Sequence, residues 1–420
     1  MNYNREQIAK IYEIAKQTYA AYGVDTDKVL EEFYKQKISL HCWQGDDIAG
    51  FENFTGASQN VVTGNYPGKA RNPEELRADL EKVFSYSPIS HKVNLHANYA
   101  ESAEGHGRDE LTPEDFANWI AWAKANNCGL DFNSTFFAHD MMNRNMSLAS
   151  PDKATRDYWI KHSKACRKIA NAMGEALGQT CVHNIWIPDG MKDNPASRKY
   201  FRELLKDSLD QILEEKYDEN NMVDVVEGKL FGIGTECYVV GSYDFYLAYA
   251  IKNNIGICLD SGHYHPTEQI ADKFSAVSLF TDKILLHVSR GVRWDSDHVT
   301  INNDELNFIM QEAKRCGLLG KMHIGLDYFD ASINRVTAWT VGLRAAGKAM
   351  LSAMLEPTAM LEKAEQDWNL GNRLAYSEEF KNLPVDAVWN YACMQQGVPV
   401  GTEWIDDVNA YEAEVLAKRS

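Results

Sequence analysis

Two stretches decide the fold: Ile255-Gly-Ile-Cys-Leu-Asp-Ser-Gly-His-Tyr-His265 and Ile284-Leu-Leu-His-Val-Ser-Arg-Gly-Val-Arg-Trp-Asp-Ser-Asp-His298. Each is a short, continuous apolar run that ends in acids and histidines. A strand buried on both faces reads as such a run, and a parallel α/β protein presents its ligands where its strands end. Asp260, His263, His287, Asp295 and Asp297 therefore fall at the carboxyl ends of strands or in the loops after them.

Six further runs of this kind lie along the chain. They are Ile38 to Trp43, Val93 to Ala97, Cys128 to Phe132, Cys181 to Ile187, Val223 to Phe231 and Met322 to Asp327. Helical patterns separate them. Asn72-Pro-Glu-Glu and Thr112-Pro-Glu-Asp each offer an N-cap side chain, a proline at the first helical position and acids in the first turn. Asn303-Asp-Glu opens another helix, which Gly317 closes. Between Pro195 and Glu215, the residues Phe201, Leu204, Leu205, Leu209, Ile212 and Leu213 share one helical face and read as core. Eight alternations of strand and helix predict an α/β fold, a (β/α)8 TIM barrel, over residues 37–344.

Outside the barrel, residues 1–36 read as an N-terminal helical cap, with helices between 5 and 34. Residues 345–420 read as a C-terminal helical extension in which Trp368, Trp389, Tyr391, Trp404 and Tyr411 suit subunit contact. The connection from Gln44 to about Asn72 is long for a βα loop, and its glycines suit a mobile lid.

Composition narrows the partners. The chain has 420 residues, 45% of them hydrophobic, enough for one large core or two ordinary ones. A net charge of −17 without clustered Lys and Arg argues against nucleic acid or an anionic membrane as partner. No export segment or membrane span is read, and the eight scattered cysteines lack metal or redox spacing. The expectation is a cytoplasmic protein with reduced, mostly buried thiols.

At the strand ends the candidate ligands are Glu227, Asp260, His287 and Asp327, which would form a rigid set on strands, and His263, Asp295 and Asp297, which would form a set in loops. Seven donors exceed what one cation needs, so two divalent cations are expected, the second with open positions for water or substrate. Oxygen-rich coordination with one imidazole per site favours Mn2+, with Co2+, Mg2+ and Zn2+ as alternatives. Glu227 and Lys229, two apart in a strand pattern, point to the same side. His323 starts its strand at the opposite end of the barrel, and His265 and His298 adjoin ligands but point elsewhere.

A metal-dependent phosphodiesterase or other hydrolase on a barrel would use similar groups. It would want several basic residues at the mouth, and beyond Lys229 only Arg290 and Arg293 are near. A non-haem iron oxygenase needs fewer ligands, and a non-catalytic sugar-binding protein has no use for the second, open set.

Several strings carry a family resemblance. His41-Cys-Trp-Gln-Gly-Asp-Asp, Thr63-Gly-Asn-Tyr-Pro-Gly-Lys-Ala-Arg, Asn184-Ile-Trp-Ile-Pro-Asp-Gly-Met-Lys-Asp, Lys229-Leu-Phe-Gly-Ile-Gly, His287-Val-Ser-Arg, Arg293-Trp-Asp-Ser-Asp-His and Gly325-Leu-Asp-Tyr-Phe-Asp-Ala-Ser-Ile-Asn-Arg resemble the L-rhamnose isomerases. The resemblance runs the length of the chain. It implies a xylose isomerase-like barrel that interconverts L-rhamnose and L-rhamnulose in the cytoplasm, uses Mn2+ and assembles as a homotetramer. By the same resemblance Glu227, Asp260, His287 and Asp327 match a structural metal site, and His263, Asp295 and Asp297 a catalytic one.

A mechanism is then expected in which His96, at the end of strand two, opens the sugar ring. Lys229 would hydrogen-bond the C1 oxygen, and a water oriented by Asp295 or Asp297 would take the O2 proton as hydride passes from C2 to C1. An enediol route stays open. Trp43, Phe132, Phe137 and Trp186 are the candidate apolar contacts to the sugar.

Overall fold

A computed structural model describes residues 4–52, 64–102, 105–230, 237–293 and 295–419. Eight parallel strands close into a barrel: β1 (Lys37–His41), β2 (Ser90–His96), β3 (Gly129–Asn133), β4 (Cys181–Ile185), β5 (Met222–Glu227), β6 (Gly256–Asp260), β7 (Ile284–His287) and β8 (His323–Leu326). Each pairs with its neighbours in the chain, and β8 closes on β1 through Ser39↔Gly325 and Leu40↔Leu326.

A helix follows each strand, in order Pro73–Phe84, Ala117–Ala125, Lys153–Leu177, Arg198–Ile212, Tyr243–Asn253, Ala271–Val277, Asp304–Arg315 and Arg335–Met354. The predicted caps form at Asn72, whose side chain accepts from the Glu75 amide, and at Asn303, which accepts from Leu306. At Thr112 the capping box opens a short 3-10 turn, Pro113–Phe116, and the α-helix begins only at Ala117. The extended run expected to Phe231 pairs as a strand only to Glu227. At Gly228 a Cβ would stand 2.9 Å from the Tyr243 backbone, so the chain turns there with the only residue that fits, and Lys229 leaves from a loop.

Inside the barrel, alternation of side chains stacks them in layers. Val182, Val225, Cys258 and Leu285 form an apolar layer. Their i+2 neighbours Asn184, Glu227, Asp260 and His287 form the polar layer above it, at the carboxyl end. Phe132 has the other parity. It lies on the outer face, fully buried, with its ring 4.9 Å from that of Phe116 beneath a barrel helix. Its expected place among the sugar contacts is therefore corrected: Asp131 and Asn133 are the β3 residues that point inward.

The last barrel helix runs to Met354, so the expected boundary at 344 falls inside it. The helices Arg5–Ala20 and Thr26–Phe33 pack on the C-terminal extension, with Tyr12 stacked on Tyr391 at 3.8 Å and Phe33 edge-on to Trp389. Trp389 is fully buried, Tyr411 donates to Asp79, and the Trp404 ring lies 6.3 Å from that of Tyr86. Of the five aromatic residues expected at a subunit contact, only Trp368 is largely exposed, at 81%, because the others dock the extension on its own barrel. Residues 53–63, the centre of the expected lid, lie outside the described residues. No helix among the described residues is long and apolar enough to cross a membrane.

Gly174, in the helix Lys153–Leu177, lies so close to the Asn221 carbonyl that a Cβ would be 1.8 Å from its oxygen. That carbonyl accepts from Cys181 at the start of β4. Gly174→Ala should therefore destabilise the fold by about 1–3 kcal/mol, read as a lower urea midpoint with an unchanged slope.

Candidate metal and substrate site

The barrel's carboxyl end gathers the predicted ligands. One atom each from Glu227, Asp260, His287 and Asp327 lies within 4.8 Å of the others. Pairing Asp260↔His287 across β6 and β7 sets two of them side by side. His287 is fully buried, with Nδ1 3.3 Å from Glu227 Oε2, 3.7 Å from Asp260 Oδ2 and 3.2 Å from Asp327 Oδ2.

His263 and Asp295 adjoin this group. His263 Nδ1 lies 3.1 Å from the Gly228 carbonyl and 3.0 Å from Glu227 Oε1. Its Nε2 faces Asp295 Oδ2 at 3.4 Å and Asp260 Oδ2 at 3.9 Å. Asp295 Oδ2 also pairs with Lys229 Nζ at 2.6 Å. Asp297 is held in the left-handed region, φ +43°, with its carbonyl accepting from the Phe329 amide. For a non-glycine residue that backbone is a strained arrangement of the kind found at functional sites.

The charge balance suits a divalent cation. Burial and the neighbouring carboxylates push Asp260 up to about 7, even against the pull of His263 and His287. Burial and Asp295 hold Asp297 well above the usual carboxylate range. Burial works against charge at Glu227 too, but His287 and His263 keep its carboxyl well below that range. Despite burial, Asp260 and Asp295 raise His263, and Cys258, Glu227 and Asp327 raise His287, well above the ordinary imidazole value. Asp260 Oδ2, Asp295 Oδ1 and both nitrogens of His287 are buried without a hydrogen-bond partner. Buried polar atoms are normally paired, so converging orphans of this kind fit divalent cations.

Opposite the ligands stands an aromatic wall. Trp43 stacks on His96 at 4.2 Å, Phe137 lies 6.2 Å from His96, and the Trp186 ring lies 6.0 Å from that of Phe137. Lys229 Nζ sits 5.1 Å over Trp186, so it joins the wall to the acids. Burial holds His96 neutral, well below the usual imidazole value, and its Nε2 has no hydrogen-bond partner. Trp43, Phe137 and Trp186 are thus brought together at the mouth, whereas Phe132 is not.

Other residues at the mouth had not been anticipated from the sequence. His41 Nδ1 comes to 3.2 Å from Asp327 Oδ1, and Asn184 donates to Glu227 Oε2. Both lie inside the apolar runs Ile38 to Trp43 and Cys181 to Ile187, whose parity the sequence does not reveal. His265 and His298 point away from the ligands, bonding to Thr267 and Ser296.

A closed parallel barrel with carboxylates and imidazoles at its carboxyl end, facing an aromatic wall, defines an enzyme of the divalent-cation-dependent barrel class. The chain belongs to the L-rhamnose isomerase family: the family model for L-rhamnose isomerase (RhaA) matches residues 6–419. An L-rhamnose isomerase from Rhodopirellula baltica is 52% identical over 415 residues, 98% of this chain and 97% of that one. One from Listeria monocytogenes serotype 4a is 51% identical over 415 residues, covering 98% and 99%. Among solved structures, L-ribulose 3-epimerase aligns over 76% of this chain and 95% of that one with a TM-score of 0.48 and 9% identity, too weak a likeness to carry an argument. Family membership makes the chain an aldose–ketose isomerase acting on a small sugar.

Gly325 keeps the floor of the site open. A Cβ there would stand 3.0 Å from His287 Cδ2 and 3.4 Å from both His287 Nε2 and His41 Nε2. Gly325→Ala should weaken Mn2+ binding at least about tenfold in a calorimetric titration, while circular dichroism stays that of the parent.

Proposed function

We propose that this site interconverts L-rhamnose and L-rhamnulose by a 1,2-hydride shift, using two divalent cations per subunit, with Mn2+ as the native ion. The observation that carries the reading is the division of the mouth: buried carboxylates and imidazoles on one side, an aromatic wall on the other.

Glu227, Asp260, His287 and Asp327 would hold one cation, and His263, Asp295 and Asp297 the second. Bound there, the cations would polarise the hydroxyl and carbonyl oxygens of the open-chain sugar and acidify a water. His96 Nε2, neutral and unpartnered, is placed to exchange a proton with the ring oxygen as the sugar opens. Lys229, kept protonated by Asp295 and Asp297 against its burial, presents a cationic donor to the C1 oxygen. Asp297, as a carboxylate once a cation is bound, would orient a water and take up the O2 proton. Hydride then moves from C2 to C1 and a proton from O2 to O1, which balances the isomerisation.

Of the wall, Trp43, Phe137 and Trp186 carry no base; His96 is the one side chain of these four that could serve an enediol route, and the fate of the C2 hydrogen separates that route from hydride transfer. A hydrolase acting on phosphodiesters is disfavoured because Lys229 is tied to Asp295 and Arg290 donates to the Val299 carbonyl. Cytoplasmic location and a homotetramer complete the proposal. The exposed Trp368 and the helix Leu370–Phe380, which has no buried residue, are the surface that supports association.

Chelator-stripped protein should form no ketose from L-rhamnose, and added Mn2+ should restore it. Absence of ketose with every divalent cation would sink the reading. Asp297→Asn and Lys229→Met should each lower kcat by about 10²-fold or more. With substrate deuterated at C2, label should remain on C1 of the product; washout into water would favour the enediol instead. In the metal-free protein His263, His287, Asp260 and Asp297 all hold protons above their ordinary values. Cation binding must displace those protons, so Mn2+ affinity should rise between pH 6 and pH 8, with proton release visible as buffer-dependent heats.

A further inference from the structure

Asp327 meets two imidazoles with its two oxygens. Oδ2 lies 3.2 Å from His287 Nδ1, on the side of Glu227 and Asp260. Oδ1 lies 3.2 Å from His41 Nδ1 on the other side. Which oxygen faces the cation therefore depends on what His41 offers.

His41 is fully buried at the end of β1, and the next strand determines its protonation. Asn94, its register partner on β2, donates from Nδ2 to His41 Nε2 at 2.9 Å. Asn94 Oδ1 accepts in turn from Asn133 Nδ2 on β3. Each amide has one donor end and one acceptor end, so the chain has a direction. It leaves Nε2 of His41 as an acceptor, which places the proton on Nδ1, facing Asp327 Oδ1 at 3.2 Å without the alignment of a hydrogen bond. Asn94 and Asn133 are buried and carry no net charge, so they fix a tautomer without adding to the charge of the site.

We propose that Asn133, Asn94 and His41 form a positioning chain that holds Asp327 with Oδ2 turned to the cation, and so sets cation affinity. The inference rests on Asp327 being a cation ligand. Partners of this kind, which orient a ligand without touching the ion, typically govern affinity by about 10- to 100-fold. His41→Asn and His41→Gln separate positioning from packing. An asparagine amide can stand where Nδ1–H stands, whereas a glutamine amide reaches the place of Nε2.

The experiment is calorimetric titration of chelator-stripped, full-length protein with MnCl2 at fixed pH and salt, with thermal melting of each metal-free variant alongside. His41→Leu and His41→Gln should bind Mn2+ about 10- to 100-fold more weakly than the parent, and His41→Asn should recover most of the loss. Asn94→Asp, which replaces the donor to Nε2 with an acceptor, should weaken binding without lowering the melting temperature of the metal-free protein. Parent-like affinity in all four variants would overturn the positioning chain while leaving the metal site intact. Equal loss in His41→Leu and His41→Asn, tracking a fall in melting temperature, would reduce His41 to packing and overturn it too. If the parent binds no Mn2+, the ligand reading of Asp327 fails and the proposal fails with it.

Discussion

Three carboxylates, the buried Glu227 and Asp260 and the half-buried Asp327, surround one imidazole at the ends of neighbouring strands, and the rest of the site is arranged to make that tolerable. Like charges this close in a low-dielectric interior repel strongly, and burying each one costs several kcal/mol more. Protons on His263 and His287 offset part of this in the bare protein. Neutral donors offset more: Asn184 donates to Glu227, the Gly262 amide donates to Asp260 at 2.6 Å, and His41 stands against Asp327. Each carboxylate is thus steadied by an uncharged group that cannot cancel it, which leaves net negative charge for a cation to neutralise.

The barrel supplies rigidity for this arrangement. Layering of side chains is fixed by the two-residue period of the strands, so the apolar layer Val182, Val225, Cys258 and Leu285 sets the height of the ligands above it. The aromatic wall does the complementary work. Trp43, His96, Phe137 and Trp186 follow one another ring to ring. In the proposed reaction such a wall would keep water from one side of the sugar and strengthen the electrostatic contacts opposite.

Much of this was legible because it is local. An apolar run that ends in Asp or His marks a polar group at a strand end whatever the remainder of the chain does, and so Asp260, His287 and Asp327 are legible individually, whereas Glu227 lies inside the run read from Val223 to Phe231. Phe132 was misread because a run buried on both faces does not reveal parity; only the inward amide of Asn133 and the inward acid of Asp131 settle which way the phenyl points. His41 escaped notice because its function depends on Asn94 and Asp327, residues 53 and 286 positions away, and no spacing rule joins them. The C-terminal aromatics were assigned to another subunit because sequence shows that a surface is apolar, and not that Tyr12 or Tyr86 from the same chain covers it.

That same extension and the last barrel helix together hold the connection after β1. Arg335, fully buried at the start of the last barrel helix, pairs with Asp47 at 2.8 Å and also donates to the carbonyls of Tyr66 and Pro67. It thereby clasps both roots of the long connection after β1, the connection that begins beside Trp43. Tyr66 and Asn334 both donate to Glu412 of the C-terminal helix, while Arg419 pairs with Asp79 and donates to the Gly68 carbonyl. Gln44 completes the frame by bonding both ways with the Asp330 backbone, three residues after the candidate ligand Asp327. Breaking a buried ion pair on one side typically costs about 3–5 kcal/mol, so these roots are firmly held. The aromatic wall and the β8 ligand are thus fastened to one another by residues far from the chemistry, and a helical extension that looks peripheral in sequence is part of what keeps the two faces of the site at a fixed distance.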